Sequence, residues 1–76
     1  MQETNIILRD IDSIRSFVRQ VIQVDYEVDL VQGRYLIDAK SIMGIFALDT
    51  LSPIKVVAHT DNADEFFGRI EKYIVK

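Results

Sequence analysis

The 76-residue sequence predicts a single α+β domain spanning residues 1–76, an open-faced β-sandwich in the order βαββαβα, with a four-stranded antiparallel sheet and its helices on one face. Three observations carry this expectation. Apolar residues recur at helical spacing over 11–22, change to strict alternation from Asp25, and return to helical spacing after Asn62. Gln32-Gly33-Arg34 interrupts the alternating stretch where a hairpin turn belongs. The first strand–helix–strand connection also leaves a place in the sheet, which the fourth strand fills between the first and second.

Each element has a local reason. Thr4 to Leu8 is β-rich through Ile6-Ile7-Leu8 and reads as the first strand. Ile11, Ile14, Phe17, Val18, Val21 and Ile22 line one face of the helix that follows, with Arg15, Arg19 and Gln20 opposite. Asp10 or Asp12 can accept the unpaired N–H groups of its first turn. From Asp25, Tyr26, Val28 and Leu30 alternate with Asp25, Glu27 and Asp29, a half-buried strand that returns through Gly33 into Tyr35, Leu36 and Ile37. Ser41 to Leu48 reads as a short helix capped by Ser41 and ended by Asp49 in a left-handed conformation. Spacing puts Ile45 and Leu48 in the core and leaves Ile42 or Met43 partly exposed. Ile54 to His59 follows Pro53 as the fourth strand. Asn62-Ala-Asp-Glu65 resembles a capping box before a helix whose core face is Phe66, Phe67, Ile70, Tyr73 and Ile74. The uncovered sheet face should carry Glu27, Asp29, Lys55 and His59.

Composition narrows the function. The chain is 49% hydrophobic and 28% charged, enough for one small core, and holds no Cys for a disulfide or thiolate metal site. Its formal charge of −3 argues against nucleic acid or an anionic membrane as partner and favours a protein. No apolar run approaches a membrane span, and Met1-Gln2-Glu3-Thr4 lacks the order of a signal peptide, so a cytoplasmic location is expected. There is no glycine-rich phosphate loop, metal-ligand spacing or nucleophile with a base in reach. The expectation is therefore a non-enzyme without cofactor or metal.

With the βαββαβα order in place, Lys40-Ser41-Ile42-Met43-Gly44 resembles HPr, the phosphocarrier family of the bacterial sugar phosphotransferase system. The similarity to Gram-positive HPr sequences runs without a gap from Lys40 through Ala63-Asp64-Glu65, and Val28 and Leu30 keep the register of that family's second strand. The resemblance implies an HPr-like open-faced sandwich. It also implies protein partners: phosphotransferase-system enzymes such as enzyme I and sugar permease subunits, a serine kinase, or a transcription regulator.

The first third departs from the family. HPr carries phosphate on a His at the start of its first helix, followed by an Arg and a Pro. Aligning Phe17-Val18 with that helix puts Asp10 at the His, Asp12 at the Arg and Ser13 at the Pro. An imidazole can be a neutral nucleophile and then a leaving group near neutral pH, whereas an aspartate is charged and forms an acyl phosphate. Transfer through His is therefore not expected at this position. His59, the single histidine, falls at the far end of the fourth strand and reads as a surface residue of the open face.

Ser41 has two readings. It can be a helix cap alone, or, as the resemblance implies, the target of the family's ATP-dependent serine kinase, its phosphate then facing the helix N-terminus. Ile42 and Met43 stand where family members expose apolar residues to partners. Asp10 and Asp12 can be ordinary first-turn carboxylates or part of the same surface, imitating a phosphorylated HPr. The leading reading is a regulatory or protein-binding variant acting around Ser41. The alternatives are an atypical phosphocarrier using Asp10 or His59, and a structural paralogue without a phosphotransferase role.

Overall fold

The computed structural model describes residues 1–75. The elements run β1 (Gln2–Ile6), α1 (Ile11–Ile22), β2 (Val28–Gln32), β3 (Tyr35–Asp38), α2 (Ile42–Phe46), β4 (Ile54–Ala58) and α3 (Asp64–Arg69), followed by a 3-10 turn at Glu71–Tyr73. The sheet order is β1-β4-β2-β3 and every neighbouring pair is antiparallel, so β4 does occupy the place left between β1 and β2.

The core forms between this sheet and the helices. Ile6, Val28, Leu30, Ile54 and Val56 face inward from the strands, and Ile14, Phe17, Val18 and Val21 meet them from α1, Ile45 from α2 and Phe66 from α3. Phe17 sits at the centre, its ring centroid 6.5 Å from both Phe66 and Tyr73, the latter edge-on as aromatic quadrupoles prefer. Phe67 and Ile74 pack against the cluster half-buried.

Several boundaries differ from the sequence expectation. β1 covers Gln2–Ile6 rather than Thr4 to Leu8: beyond the last pair, Ile6 with Ile54, the Ile7 amide turns outward and donates to the Tyr73 carbonyl at 2.9 Å. The chain leaves the ladder there, and Leu8 stays buried while its amide donates to the Thr50 carbonyl at 3.1 Å. Ile11 and Ile22, at the two ends of α1, are exposed rather than core, since only the middle of the helix lies over the sheet. β2 starts at Val28, not Asp25, and Tyr26 lies before it with its ring edge-on to Phe66.

The β2–β3 connection is a tight turn at Gly33-Arg34 with Gly33 at φ +58° and Arg34 at negative φ, the pattern of a turn that needs glycine first. α2 stops at Phe46 with Ala47 as its right-handed C-cap. Asp49 is not left-handed, since no non-glycine among the described residues has positive φ. Its carboxylate instead accepts from Leu51 N–H and Ser52 Oγ, and its backbone is clamped by Gln32, which accepts from the Asp49 amide at 2.8 Å and donates to its carbonyl. The capping box before α3 is replaced by a simpler arrangement. Asn62 Oδ1 accepts from Asp64 N–H at 3.0 Å, and Glu65 pairs with Arg69 one turn on.

The uncovered face carries Lys55, His59 and Asp29 as expected, with Lys55 paired to Glu3 at 3.8 Å. Alternation along β4 also puts Val57 on this face, opposite Glu3 on one side and Asp29 on the other, where it is buried between the two ion pairs.

Candidate functional site

Both helix starts singled out by the sequence are capped. Asp10 has extended backbone, and its Oδ1 accepts from the Ser13 amide at 2.7 Å. Hydrogen bonding from the Ser13 amide and then its hydroxyl holds the Asp10 carboxyl below the ordinary aspartate range, against a small opposing effect of desolvation. Asp12 follows in the first turn of α1 and is exposed. An open groove of about 450 Å³ runs from these carboxylates along α1 to Lys72 and Tyr73, with Arg15 and Arg19 further down its wall. Lys72 Nζ lies 5.2 Å over the Tyr73 ring.

Ser41 is built into the chain from both sides. Its amide donates to the Asp38 carbonyl at 2.9 Å, the Lys40 amide donates to Asp38 Oδ1 at 2.8 Å, and its own Oγ accepts from the Gly44 amide at 3.0 Å. Gly44 is needed for this approach, because a Cβ there would stand 3.0 Å from Ser41 Oγ and 3.3 Å from Ile37. The glycine that weakens helix propensity thus leaves room for the cap.

Around Ser41, α2 divides as spacing dictates. Ile45 and Leu48 are buried, whereas Ile42 is 36% and Met43 80% exposed. Phe46, 49% exposed, lies one turn after Ile42 and extends the apolar strip. Its one-turn spacing from Ile42, rather than from Ile45, is the signal in the sequence that places it on the exposed side.

The structure groups Asp10 with Asp12 and Ser41 with Ile42 and Met43. α1 packs on α2, and the Leu8 to Thr50 hydrogen bond ties the entrance of α1 to the loop leaving α2. His59 joins neither group. The pairing of Gln2 with Ala58 and Ile6 with Ile54 sets it at the end of β4 away from the start of α1. There its Nε2 is 2.7 Å from Asp29 Oδ2. Among the described residues no group of three His, Cys, Asp or Glu side chains could hold a metal ion, and no helix is long and apolar enough to cross a membrane.

The strand order, the capped α1 and α2, and the helix layer confined to one face define an open-faced sandwich of the HPr type. Solved structures bear this out. The chain is similar to HPr-C-His from Thermoanaerobacter tengcongensis, with a TM-score of 0.79 and 22% identity over 95% of this chain and 89% of that one. It is also similar to the histidine-containing phosphocarrier protein of Mycoplasma, with a TM-score of 0.74 and 17% identity over 93% of this chain and 89% of that one. At these identities the likeness is one of fold. No protein-family model and no curated protein matches the chain.

Proposed function

We propose that this protein is an HPr-like regulatory or binding module of the phosphoenolpyruvate-dependent sugar phosphotransferase system, working in the cytoplasm and not passing phosphate through histidine. It engages protein partners through the α2 surface formed by Ser41, Ile42 and Met43, with Asp10 and Asp12 at its border. One observation carries this reading: where HPr bears its His, this chain has Asp10 with a carboxylate committed to the Ser13 amide, while its single imidazole is held by Asp29 at the other end of the sheet. A carboxylate engaged as a cap is a poor substitute for a free imidazole, because phosphorylation would convert it to an acyl phosphate and compete with the hydrogen bond that holds the turn.

An apolar strip next to a phosphorylatable hydroxyl suits a docking surface that a kinase can switch. Met43 supplies an adaptable contact, and a phosphate on Ser41 would meet the N–H groups it now caps. Incubation with enzyme I and phosphoenolpyruvate should leave the chain unlabelled, and Met43→Glu should abolish binding to phosphotransferase-system proteins while the fold persists. Acid-labile phosphate on His59 or hydroxylamine-labile phosphate on Asp10 would overturn the reading in favour of an atypical carrier. Failure to bind any such protein, with or without the serine kinase and ATP, would leave a structural paralogue.

A further inference from the structure

The groove beside α1 sorts its charges by position. Asp12 stands toward the end where the helix begins, and Arg15, Arg19 and Lys72 line the rest together with Ser16 and Tyr73. Among the described residues the ion pairs are Lys55 with Glu3, His59 with Asp29 and Arg69 with Glu65, so no acid takes up any of the three groove cations. Arg15 and Arg19 are one helical turn apart, roughly 5–6 Å between Cβ atoms, a like-charged arrangement that works against the helix unless an anion joins it. Asp12 is equally uncommitted. Asp10 caps the helix through the Ser13 amide, whereas Asp12 accepts no side-chain hydrogen bond among the described residues.

The wall facing α1 is held by the sheet. The Ile7 amide donates to the Tyr73 carbonyl at 2.9 Å, the Val75 amide donates to the Asn5 carbonyl at 2.8 Å, and Ile74 bridges Ile6. Lys72 rides on that wall with its ammonium 5.2 Å over the Tyr73 ring. Tyr73 packs edge-on against Phe17 of α1, which ties both walls to one core.

We propose that this groove binds a small phosphate monoester whose carbon skeleton carries hydroxyl groups, a phosphorylated polyol or sugar. Its phosphate meets the guanidiniums of Arg15 and Arg19 and the ammonium of Lys72, and its hydroxyls donate to the Asp12 carboxylate. A volume of about 450 Å³ suits a molecule of that size. Asp12 is what selects the class. A nucleic-acid strand would carry its charges past the carboxylate as well as past the arginines and be repelled there, whereas a ligand charged at one end and neutral at the other satisfies both. A monoester brings about two negative charges to the three cations, where a diester brings one. The site lies apart from the surface around Ser41, and it stands whether or not that surface docks a protein.

Titrating ribose phosphate into the isotope-labelled full chain at low salt should give saturable amide shifts from Asp12 to Arg19 and at Lys72 and Tyr73. An open groove should give a Kd of ~1 mM or below, weakened by added salt. Ribose alone should leave these amides unmoved, and inorganic phosphate should bind more weakly than the ester. Arg19→Gln should weaken ribose phosphate about tenfold, the loss of one charge-assisted contact. Asp12→Ala removes a repulsion and an acceptor together, so it should tighten inorganic phosphate and bring the preference for the ester down toward parity. Both side chains are exposed, and circular dichroism checks that both variants are folded. The absence of a saturable shift up to ~10 mM ribose phosphate overturns the proposal. So do shifts centred on Arg34 and Lys40 instead of the groove, and so does equal affinity of the wild type for ribose phosphate and inorganic phosphate, which would make the groove an attractor of any anion.

Discussion

Helices α1 and α2 open with the same device and differ in what the device can become. Each begins with a residue of extended backbone whose side-chain oxygen accepts the amide three positions on, Asp10 from Ser13 and Ser41 from Gly44. At α1 the acceptor is a carboxylate open to water, carrying its charge permanently near neutral pH. At α2 it is a hydroxyl, partly buried beside Gly44, neutral until something modifies it. The cap satisfies an orphan N–H in both cases, so the backbone is indifferent to the choice. Function is not: only the hydroxyl leaves a site at which a neutral group can be exchanged for a charged one.

Four measurements break or sharpen this contrast. The largest effect belongs to Gly44→Val, whose Cβ meets Ser41 Oγ and Ile37; overpacking of this kind costs about 1–3 kcal/mol, readable by urea unfolding. Ser41→Ala should cost about 1 kcal/mol, and Ser41→Asp should recover most of it by giving α2 the carboxylate cap of α1. If Ser41→Asp is no better than alanine, the two caps are not interchangeable and the contrast is one of architecture.

Acid titration separates the pair next. Hydrogen bonds from Ser13 lower the folded pKa of Asp10, so its carboxylate stabilises the fold above the unfolded aspartate pKa and loses that contribution as pH falls through the lower folded value. Asp10→Ala should therefore melt a few degrees below wild type at neutral pH, with the gap closing in strong acid. The deficit of Ser41→Ala should not change with pH. The smallest effect on stability is expected for Met43→Glu, within about 0.5 kcal/mol of wild type because the side chain is exposed, so any lost partner binding reports the surface rather than the fold.

Local chemistry made much of this legible in the sequence. Asp10, Ser41, Gly33 and the inward alternation of Val28 and Leu30 each act within a few residues of themselves, and each performs as its type and spacing imply. What stayed hidden depends on partners distant in sequence. β1 ends at Ile6, after which the Ile7 amide turns to Tyr73, and Leu8 is buried outside any strand with its amide received by Thr50. Asp49 is held by Gln32 from another element rather than by its own turn propensity. Val57 is covered by ion pairs between neighbouring strands, which no reading of β4 alone contains. Phe46 could have been found, since its one-turn spacing from Ile42 is a local property. The helix caps and the turn glycine therefore emerged better than the strand boundaries around them.

The lateral seal that Tyr73 and Val75 place along Asn5 and Ile7 has a consequence for assembly. A sheet with one margin occupied by its own chain and the other vacant can add a neighbour on a single side only. Whatever joins it there completes the arrangement, and head-to-tail growth into fibrils has no second margin from which to continue.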